Sequence, residues 1–494
     1  MKPLHYFTLL IAASLVVTSC AKTKKYVFDV PEMDPLQPDS GEGYHKVSEF
    51  PYTLKDVHSS VGIDNLNTKG DTKILVVPVM ALDGPSWTSR MINNVKKGFF
   101  GEPEDTGWHS VKSFYHYSSY GNINIDGEVA SVLRSNYTVS ELSRMGTSES
   151  SVNPDSIILQ EFEKSSSYSS LRKKYDTDHN GYIDSVVFVY SNQIDSEKGY
   201  WAWVYWGDSN PSESLPTVNS YMWVSYDFFV QNKKSSYIYA AYGGEVDAHT
   251  IVHETGHLMG LDDYYCYDKD GWDPSGKIEM HSYNIGDDNI YSKLSLGWVN
   301  PYYVKTLDSV TLSLRTSAGY GDAIILADSW NGSTQDEYII IEYYSPHGMN
   351  RKDADNAYPG NGYQMYTTSG FRIYHVDARI VELGPRGKMI DYVDSMSKGK
   401  FYAVGASNSK SYSYLEEHKD DYKLIHLMEA GGVNTFKQGK YATNDTLFTK
   451  GKTFEASKQF FYNVSKLNNG SDFGYRISVD ECEEFKGTIT ISKI

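Results

Sequence analysis

Apolar runs in the first 300 residues predict buried strands separated by polar loops. The runs ILVVPVM at residues 74–80 and SVVFVYS at residues 185–191 are almost continuously apolar and rich in β-branched residues, as expected of buried strands. Ser-rich polar stretches at residues 146–153 and 165–170 lie between them and are predicted to be surface loops. A helix is predicted over about residues 244–260.

Beyond residue 300 the apolar runs become shorter and recur regularly, with Gly, Asn, Asp and Ser at the turns between them. This pattern is typical of sandwich-type β domains. The runs lie at residues 310–315, 323–328, 338–344, 371–377, 424–429 and 474–480. We therefore predict an α+β protein with a helix-bearing domain over residues 46–300 and a β-rich, sandwich-like region over residues 301–494.

The first 20 residues have the pattern of an export signal. An apolar run at residues 7–17 follows Lys2 and is too short to span a bilayer as a helix. It ends in Val17-Thr18-Ser19-Cys20, which resembles the bacterial lipobox. We predict a lipoprotein signal over residues 1–19, lipidation of Cys20 and a flexible tether over residues 20–45. The alternative is an ordinary secretory signal with a chance cysteine.

No later stretch is apolar over the 18 or more residues that a membrane-spanning helix needs. The predicted location is therefore extracytoplasmic, in a bacterial cell envelope, with the lipid as the membrane contact at the outer membrane or cell surface. Such a location would permit a disulfide between Cys266 and Cys482. Two separate thiols are the alternative.

Composition narrows the class of protein. The chain has 494 residues, of which 40% are hydrophobic and 22% charged, and this balance excludes a disordered chain. The formal net charge of −17 argues against a nucleic-acid partner, because an acidic surface repels phosphates. The 42 tyrosines are in keeping with a large content of β-structure.

Residues 253–257 form the pattern H-E-x-x-H within the predicted helix. Residues four apart lie on one helical face, so the imidazoles of His253 and His257 can reach one ion, and zinc suits imidazole ligands. Glu254 would then take a proton from the attacking water. His249 lies on the same face, but only His253 and His257 enclose the glutamate, so His249 is interpreted as a helix residue or a partner of the ligands.

The third zinc ligand is predicted to be Asp263. Gly260 can end the helix with a positive φ and return the chain toward the metal, which gives the pattern HExxHxxGxxD. Glu279 is the alternative ligand, as in an arrangement with a distant glutamate. Asp262, its neighbour, is expected to be solvated or bound to backbone.

Two further residues of this region have predicted roles. Met280 follows His257 by 23 residues and would form an apolar Met-turn floor beneath the metal. Tyr283 could stabilise the developing oxyanion, although a packed loop tyrosine is the alternative interpretation. His281 is a weaker candidate for the same role.

Several segments resemble the immune inhibitor A family of secreted bacterial metallopeptidases. HETGHLMGLDDYY at residues 253–265 is similar to the family pattern HExGHxLGLPDxY, with Asp262 at the position of the proline. Further similar segments lie at residues 113–129, 284–299 and 370–377. The resemblance implies a zincin-type, metzincin-like catalytic domain and a zinc endopeptidase that hydrolyses proteins outside the cell. A surface-binding or adhesin protein with a latent or inactive peptidase domain is the alternative, and a zinc hydrolase of non-peptide amides is a third option.

Residues 176–184 fit the calcium-loop pattern D-x-D-x-[DN]-G-x-x-D. The predicted ligands are the side chains of Asp176, Asp178, Asn180 and Asp184 and the carbonyl of Tyr182. Because the loop leads into a strand and not a helix, the predicted calcium would be structural. An acidic turn without an ion is the alternative. A weaker acidic cluster, which could also bind calcium, consists of Asp268, Asp270 and Asp273.

Overall fold

The computed structural model has a mixed α+β fold, as predicted. It describes residues 29–145, 154–206, 209–230, 246–269, 271–306, 308–357, 362–409, 422–455 and 466–494. The α-helices are α1 Leu54–Ser60, α2 Ser89–Phe100, α3 Pro103–Thr106, α4 Val111–Ser118, α5 Val139–Met145, α6 Pro154–Lys164, α7 Ser169–Lys174, α8 His249–Leu258, α9 Ile290–Ser295 and α10 Arg351–Asp355.

The strands fall into two groups along the chain. Those up to residue 300 are β1 Ser40–Gly41, β2 Tyr44–Lys46, β3 Gly70–Met80, β4 Ile123–Val129, β5 Leu133–Arg134, β6 Val186–Tyr190, β7 Trp203–Trp206 and β8 Ser220–Ser225. Those beyond it are β9 Tyr302–Val304, β10 Ser309–Arg315, β11 Ile324–Leu326, β12 Glu337–Tyr344, β13 Gly370–Asp377, β14 Ile380–Leu383, β15 Met389–Val393, β16 Phe401–Val404, β17 Ile425–Leu427, β18 Thr453–Glu455, β19 Tyr475–Cys482 and β20 Lys486–Lys493.

The first sheet has the strand order β4-β3-β6-β8-β7, and β5 also pairs with β3. Neighbours from β4 to β8 are parallel, whereas the edge strand β7 is antiparallel to β8. Both faces of β3 are buried. Ile74 and Val76 pack with helices α2, α4 and α8, and Leu75 and Val77 pack with α5 and α6. Burial on both faces explains the continuous apolar run at this strand.

The second sheet has the order β1-β2-β9-β11-β12-β13-β17, and the third has the order β10-β20-β19-β18. They pack face to face around a core that includes Ile341, Phe371, Leu312 and Ile489. A small fourth sheet has the strand order β15-β14-β16. The apolar runs predicted as strands beyond residue 300 are thus confirmed, and two of these sheets form a sandwich.

The second sheet is buried on both faces. Along β12, Ile339 and Ile341 face the third sheet, whereas Tyr338 and Ile340 face the other way and share a core with Tyr291 of α9. Alternate residues of one strand therefore hold the sandwich together and attach it to the first region.

The end of the predicted tether is part of this sheet. β2 pairs antiparallel with β9, and the rings of Tyr44 and Tyr302 meet edge to face at 5.9 Å. Further upstream, the Asp29 carboxylate accepts hydrogen bonds from the Gly348 N–H and the His347 imidazole. The prediction of a flexible tether over residues 20–45 is therefore wrong for its last part, where backbone pairing orders the chain.

Three further predictions concern the signal segment, membrane-spanning helices and the cysteines. The signal segment and Cys20 lie outside the described residues. Among the described helices, none combines the length and apolar character that crossing a membrane requires. Cys266 and Cys482 are both free, half-buried thiols and form no disulfide with each other.

A buried ion pair fixes the register between β12 and β13. Glu342 and Arg372 lie directly opposite each other, and Arg372 Nη2 is 2.8 Å from Glu342 Oε1. Their side chains are 0% and 1% exposed, so each charge depends on the other for its compensation.

Glu342→Gln should destabilise the protein by about 3–5 kcal/mol, because it leaves the Arg372 guanidinium buried without a counter-charge. The measurement is the free energy of urea-induced unfolding. The matched control is Glu382→Gln, which removes an ion pair with Lys400 that is open to solvent. Solvent screens that pair, so the control should be almost neutral. Equal effects of the two substitutions would contradict the assignment of Glu342 and Arg372 as a stabilising pair.

Candidate metal centre

The predicted HExxH helix is present as α8, and two glycines allow its close packing. A Cβ on Gly256 would lie 2.2 Å from the His281 ring, so the helix can approach that ring only with glycine here. Gly260 follows the helix with φ +102°, and a Cβ there would lie 2.5 Å from Asn65 Nδ2. Gly260 therefore ends the helix and turns the chain back, as the sequence predicts.

Backbone carbonyls fix the orientation of both motif histidines. His253 Nδ1 donates to the Met280 carbonyl at 2.9 Å, and His257 Nδ1 donates to the Leu261 carbonyl at 2.7 Å. The Leu261 carbonyl is in reach because the chain turns at Gly260. With the protons on Nδ1, the lone pairs lie on the two Nε2 atoms, which are 3.2 Å apart.

Asp263 brings a third electron-rich atom to the same point. Its Oδ1 lies 3.0 Å from His253 Nε2 and 3.4 Å from His257 Nε2. A tetrahedral zinc ion with ligand distances of about 2.0–2.2 Å holds its ligand atoms about 3.3–3.5 Å apart. The three atoms therefore form a triangle of nearly the size that one face of a zinc site requires.

The electrostatics of the three groups favour a bound cation. Burial opposes protonation of His257, but the charge of Asp263 outweighs burial and raises the pKa of His257 to about 10. Burial acts against the Asp263 anion, yet His257 and His253 hold the pKa of Asp263 well below its usual range. Three buried donors that together attract positive charge suit a divalent ion of borderline softness such as zinc.

His281 is a second possible third donor. Ring nitrogens of His253, His257 and His281 lie within 4.8 Å of one another, and His281 is fully buried. Its ring centroid is 5.0 Å from that of His253. Asp263 Oδ1 lies closer to both motif nitrogens than this, so its position fits the predicted third ligand better. His249 lies beside the pair, and its Nε2 is 3.2 Å from the Asn284 carbonyl.

Glu254 lies beside the donor triangle with one oxygen available. Its side chain is buried, and Oε2 has no hydrogen-bond partner among the described residues. Burial raises the pKa of Glu254 above its ordinary value, while the two histidines act against that rise. A carboxylate with a raised pKa can accept and return a proton near neutral pH.

The other acids of the motif region are engaged elsewhere. Glu279 is buried, and its Oε2 accepts a hydrogen bond from Asn289 Nδ2 at 3.0 Å. Burial and the charge of Asp288 raise the pKa of Glu279 well above its usual range. Asp262 accepts the Asp263 N–H at 2.9 Å and the Ser407 hydroxyl at 2.7 Å.

Met280 is a core residue, whereas Tyr283 packs against another tyrosine ring. Met280 is fully buried in the core behind α8, and its carbonyl is the acceptor that orients His253. Tyr283 packs on Tyr265 with ring centroids 5.4 Å apart and does not line the cavity at the donor triangle. Tyr267, which the sequence did not single out, donates its hydroxyl proton to Asp263 Oδ2.

The donor triangle opens into a cavity of about 500 Å³. Its walls come from α1, from the region of β7 and from residues 402–407 of the C-terminal region. Aromatic rings make up much of the lining, including Trp201, Trp203, Tyr265 and Tyr402. A cavity of this size is within the range of ligand-binding sites.

The predicted calcium loop is a tight turn closed by hydrogen bonds to its own carboxylates. The Asn180 N–H donates to Asp176 Oδ1 at 3.0 Å and to Asp178 Oδ1 at 3.3 Å. Asp184 differs, because both of its oxygens accept hydrogen bonds from Thr177. Asn180 Nδ2 also reaches Asp64 at 3.2 Å, an acid far away in the sequence. No local pattern could have assigned Asp64 to this loop.

The second acidic cluster is dispersed. Asp273 Oδ1 accepts the Cys266 N–H at 2.7 Å, and Asp273 Oδ2 lies 3.4 Å from Lys277 Nζ. Asp268 is exposed, and Asp270 lies outside the described residues. These contacts give the cluster no common centre among the described residues.

Comparison with protein families and with curated proteins finds no match. No protein-family model matches the chain, and none of the curated proteins matches it. The resemblance to immune inhibitor A therefore stays a prediction based on the motif residues.

Asp263→Ala should weaken zinc binding at least about 100-fold, because it removes one of three ligands. Zinc content after dialysis and competition with a chelator measure the loss. Asp262→Asn is the matched control, since the neighbouring carboxylate contacts Ser407 and backbone and should not affect zinc. Retention of tight zinc in Asp263→Ala would refute Asp263 as a ligand and leave His281 and Glu279 as the alternatives.

Proposed function

We propose that this protein is a lipid-anchored, extracytoplasmic zinc endopeptidase that hydrolyses peptide bonds of proteins. The observation that carries the proposal is the triangle of His253, His257 and Asp263 beside Glu254. Four groups of the types that metal-assisted hydrolysis needs converge at the wall of one cavity. A purely structural zinc site would require no unpaired buried carboxylate at its side.

The residues divide the chemistry between them. His253, His257 and Asp263 would hold zinc, which supplies Lewis-acid activation of water and of the scissile carbonyl. Glu254 Oε2 would accept a proton from the attacking water and deliver it to the leaving amine. The Met280 and Leu261 carbonyls keep both imidazoles in the tautomer that binds metal.

Other features support a peptidase of the zincin type. The edge strand β7 contributes to the wall of the cavity next to the donors, and an edge strand can pair with an extended peptide. The sequence resemblance to immune inhibitor A points to the same class. Export and the lipid anchor are supported by the residue pattern ending at Cys20.

We further propose that residues 176–184 bind a structural calcium ion. The carboxylates of Asp176 and Asp178 both accept the Asn180 N–H. The Asn180 side-chain amide donates to Asp178 and to Asp64, so three carboxylates gather at the turn. Oxygen-rich turns of this kind suit calcium, and extracellular calcium is abundant enough for weak sites.

Glu254→Gln should lower kcat/KM for a quenched casein substrate by about 10²–10⁴-fold with zinc retained, because it removes the proton acceptor. Glu279→Gln is the matched control. Glu279 is a nearby buried acid whose pKa burial raises well above its usual range, and glutamine has nearly the same shape.

The combination of results separates the alternatives. Loss of zinc in Glu279→Gln would make Glu279 the third ligand. Bound zinc without proteolysis in the native protein would favour the surface-binding or adhesin function. Equal activity of Glu254→Gln and native protein would refute the role of Glu254.

Millimolar calcium should raise the thermal unfolding midpoint by about 5 °C or more if this concentration is about 100 times the dissociation constant of the loop for calcium. Asp178→Asn should abolish most of that increase, because it removes a charged ligand. Asp126→Asn, an exposed acid away from the loop, serves as the control. An equal calcium response in all three proteins would argue against this site.

A further inference from the structure

The cavity at the donor triangle contains a carboxylate that the proposed reaction does not use. Asp262 is half-buried and lines the cavity together with Glu254 and Asp263. It stands where the resembling family pattern has proline, so no property of that pattern explains it.

Two uncharged donors fix the Asp262 carboxylate without neutralising it. The Asp263 N–H donates to Oδ1 at 2.9 Å, and the Ser407 hydroxyl donates to Oδ2 at 2.7 Å. Each oxygen retains further lone-pair capacity, because an ionised carboxylate can accept about four hydrogen bonds. The group is therefore held in the cavity wall by two donors that carry no charge.

The cavity has more acids than a divalent ion at the donor triangle would compensate. Its described lining includes three acids and neither lysine nor arginine. A divalent ion at the donor triangle would offset the charges of Glu254 and Asp263, and the charge of Asp262 would remain. A carboxylate in a largely apolar wall is stabilised by a cation that enters beside it.

The other walls suit the same kind of ligand. Trp201, Trp203 and Trp206 line the cavity, and the faces of indole rings attract ammonium and guanidinium groups. Arginine also stacks on aromatic rings through its planar group, and the stems of Arg and Lys pack against apolar surface. Aromatic walls alone would equally accept a bulky apolar side chain, and the carboxylate decides between the two.

We propose that this cavity is a specificity pocket for a basic side chain, arginine or lysine, of the substrate next to the scissile bond. Asp262 is its charge partner, and Ser407 positions Asp262 from the C-terminal region. The proposal rests on the proposed peptidase function and names its substrate class.

The test compares cleavage of quenched peptides that are identical except for Arg, Lys, Leu or Glu beside the scissile bond. The native zinc enzyme should favour Arg or Lys over Leu by about tenfold or more in kcat/KM. Asp262→Asn preserves the shape and hydrogen-bonding capacity of the side chain but removes its charge, so the ratio of Arg to Leu cleavage should fall about tenfold or more. Zinc content and the unfolding midpoint verify that the variant is intact.

A binding measurement separates this proposal from the peptidase proposal. Fluorescence anisotropy of the labelled Arg and Leu peptides is measured on zinc-loaded Glu254→Gln, with and without Asp262→Asn. Arg-selective binding that depends on Asp262 supports the pocket even if no peptide is cleaved. Cleavage without a basic preference, or with a preference unchanged in Asp262→Asn, overturns the pocket and leaves the peptidase standing. Absence of both binding and cleavage overturns both.

Discussion

The convergence of three electron-rich atoms at one point is the constraint on which this site depends. His253, His257 and Asp263 can meet only if the helix ends at Leu258, three residues before Leu261 returns its carbonyl to His257. Gly260 makes that ending possible, because its backbone has a positive φ and its missing Cβ leaves room for Asn65. The surrounding core must then hold the two imidazole lone pairs and the Asp263 carboxylate close together, although these electron-rich groups repel one another.

Local regularities made part of this site predictable from sequence. Four-residue spacing on a helix brings His253 and His257 to one face wherever a helix forms, and a glycine after the last turn indicates a reversal. The strands of the sandwich were also predictable. Burial on both faces makes β12 and β13 strongly apolar, and burial on one face makes β10 alternate. By contrast, Ser407 and Asp64 reach their partners across more than 100 residues, and such contacts leave no periodic signal in the chain.

The cavity shows how the two halves of the protein work on one surface. Residues 402–407 belong to the β-rich region, yet they line the cavity together with α1 and β7 of the first region. The Ser407 hydroxyl bonds the carboxylate next to a proposed metal ligand. Selectivity and the metal centre therefore share a structural support, although the residues are about 145 positions apart in the chain.

The pairing of β2 with β9 in the second sheet also has a consequence for how the chain folds. β2 pairs with β9 across more than 250 residues, and residues 402–407 are among the later segments to leave the ribosome. Contacts between residues so far apart in the sequence form slowly, because the long chain segment between them must first close into a loop. The cavity wall is therefore completed only after residues 402–407 have been made, and a shorter polypeptide carries the HExxH motif without that wall.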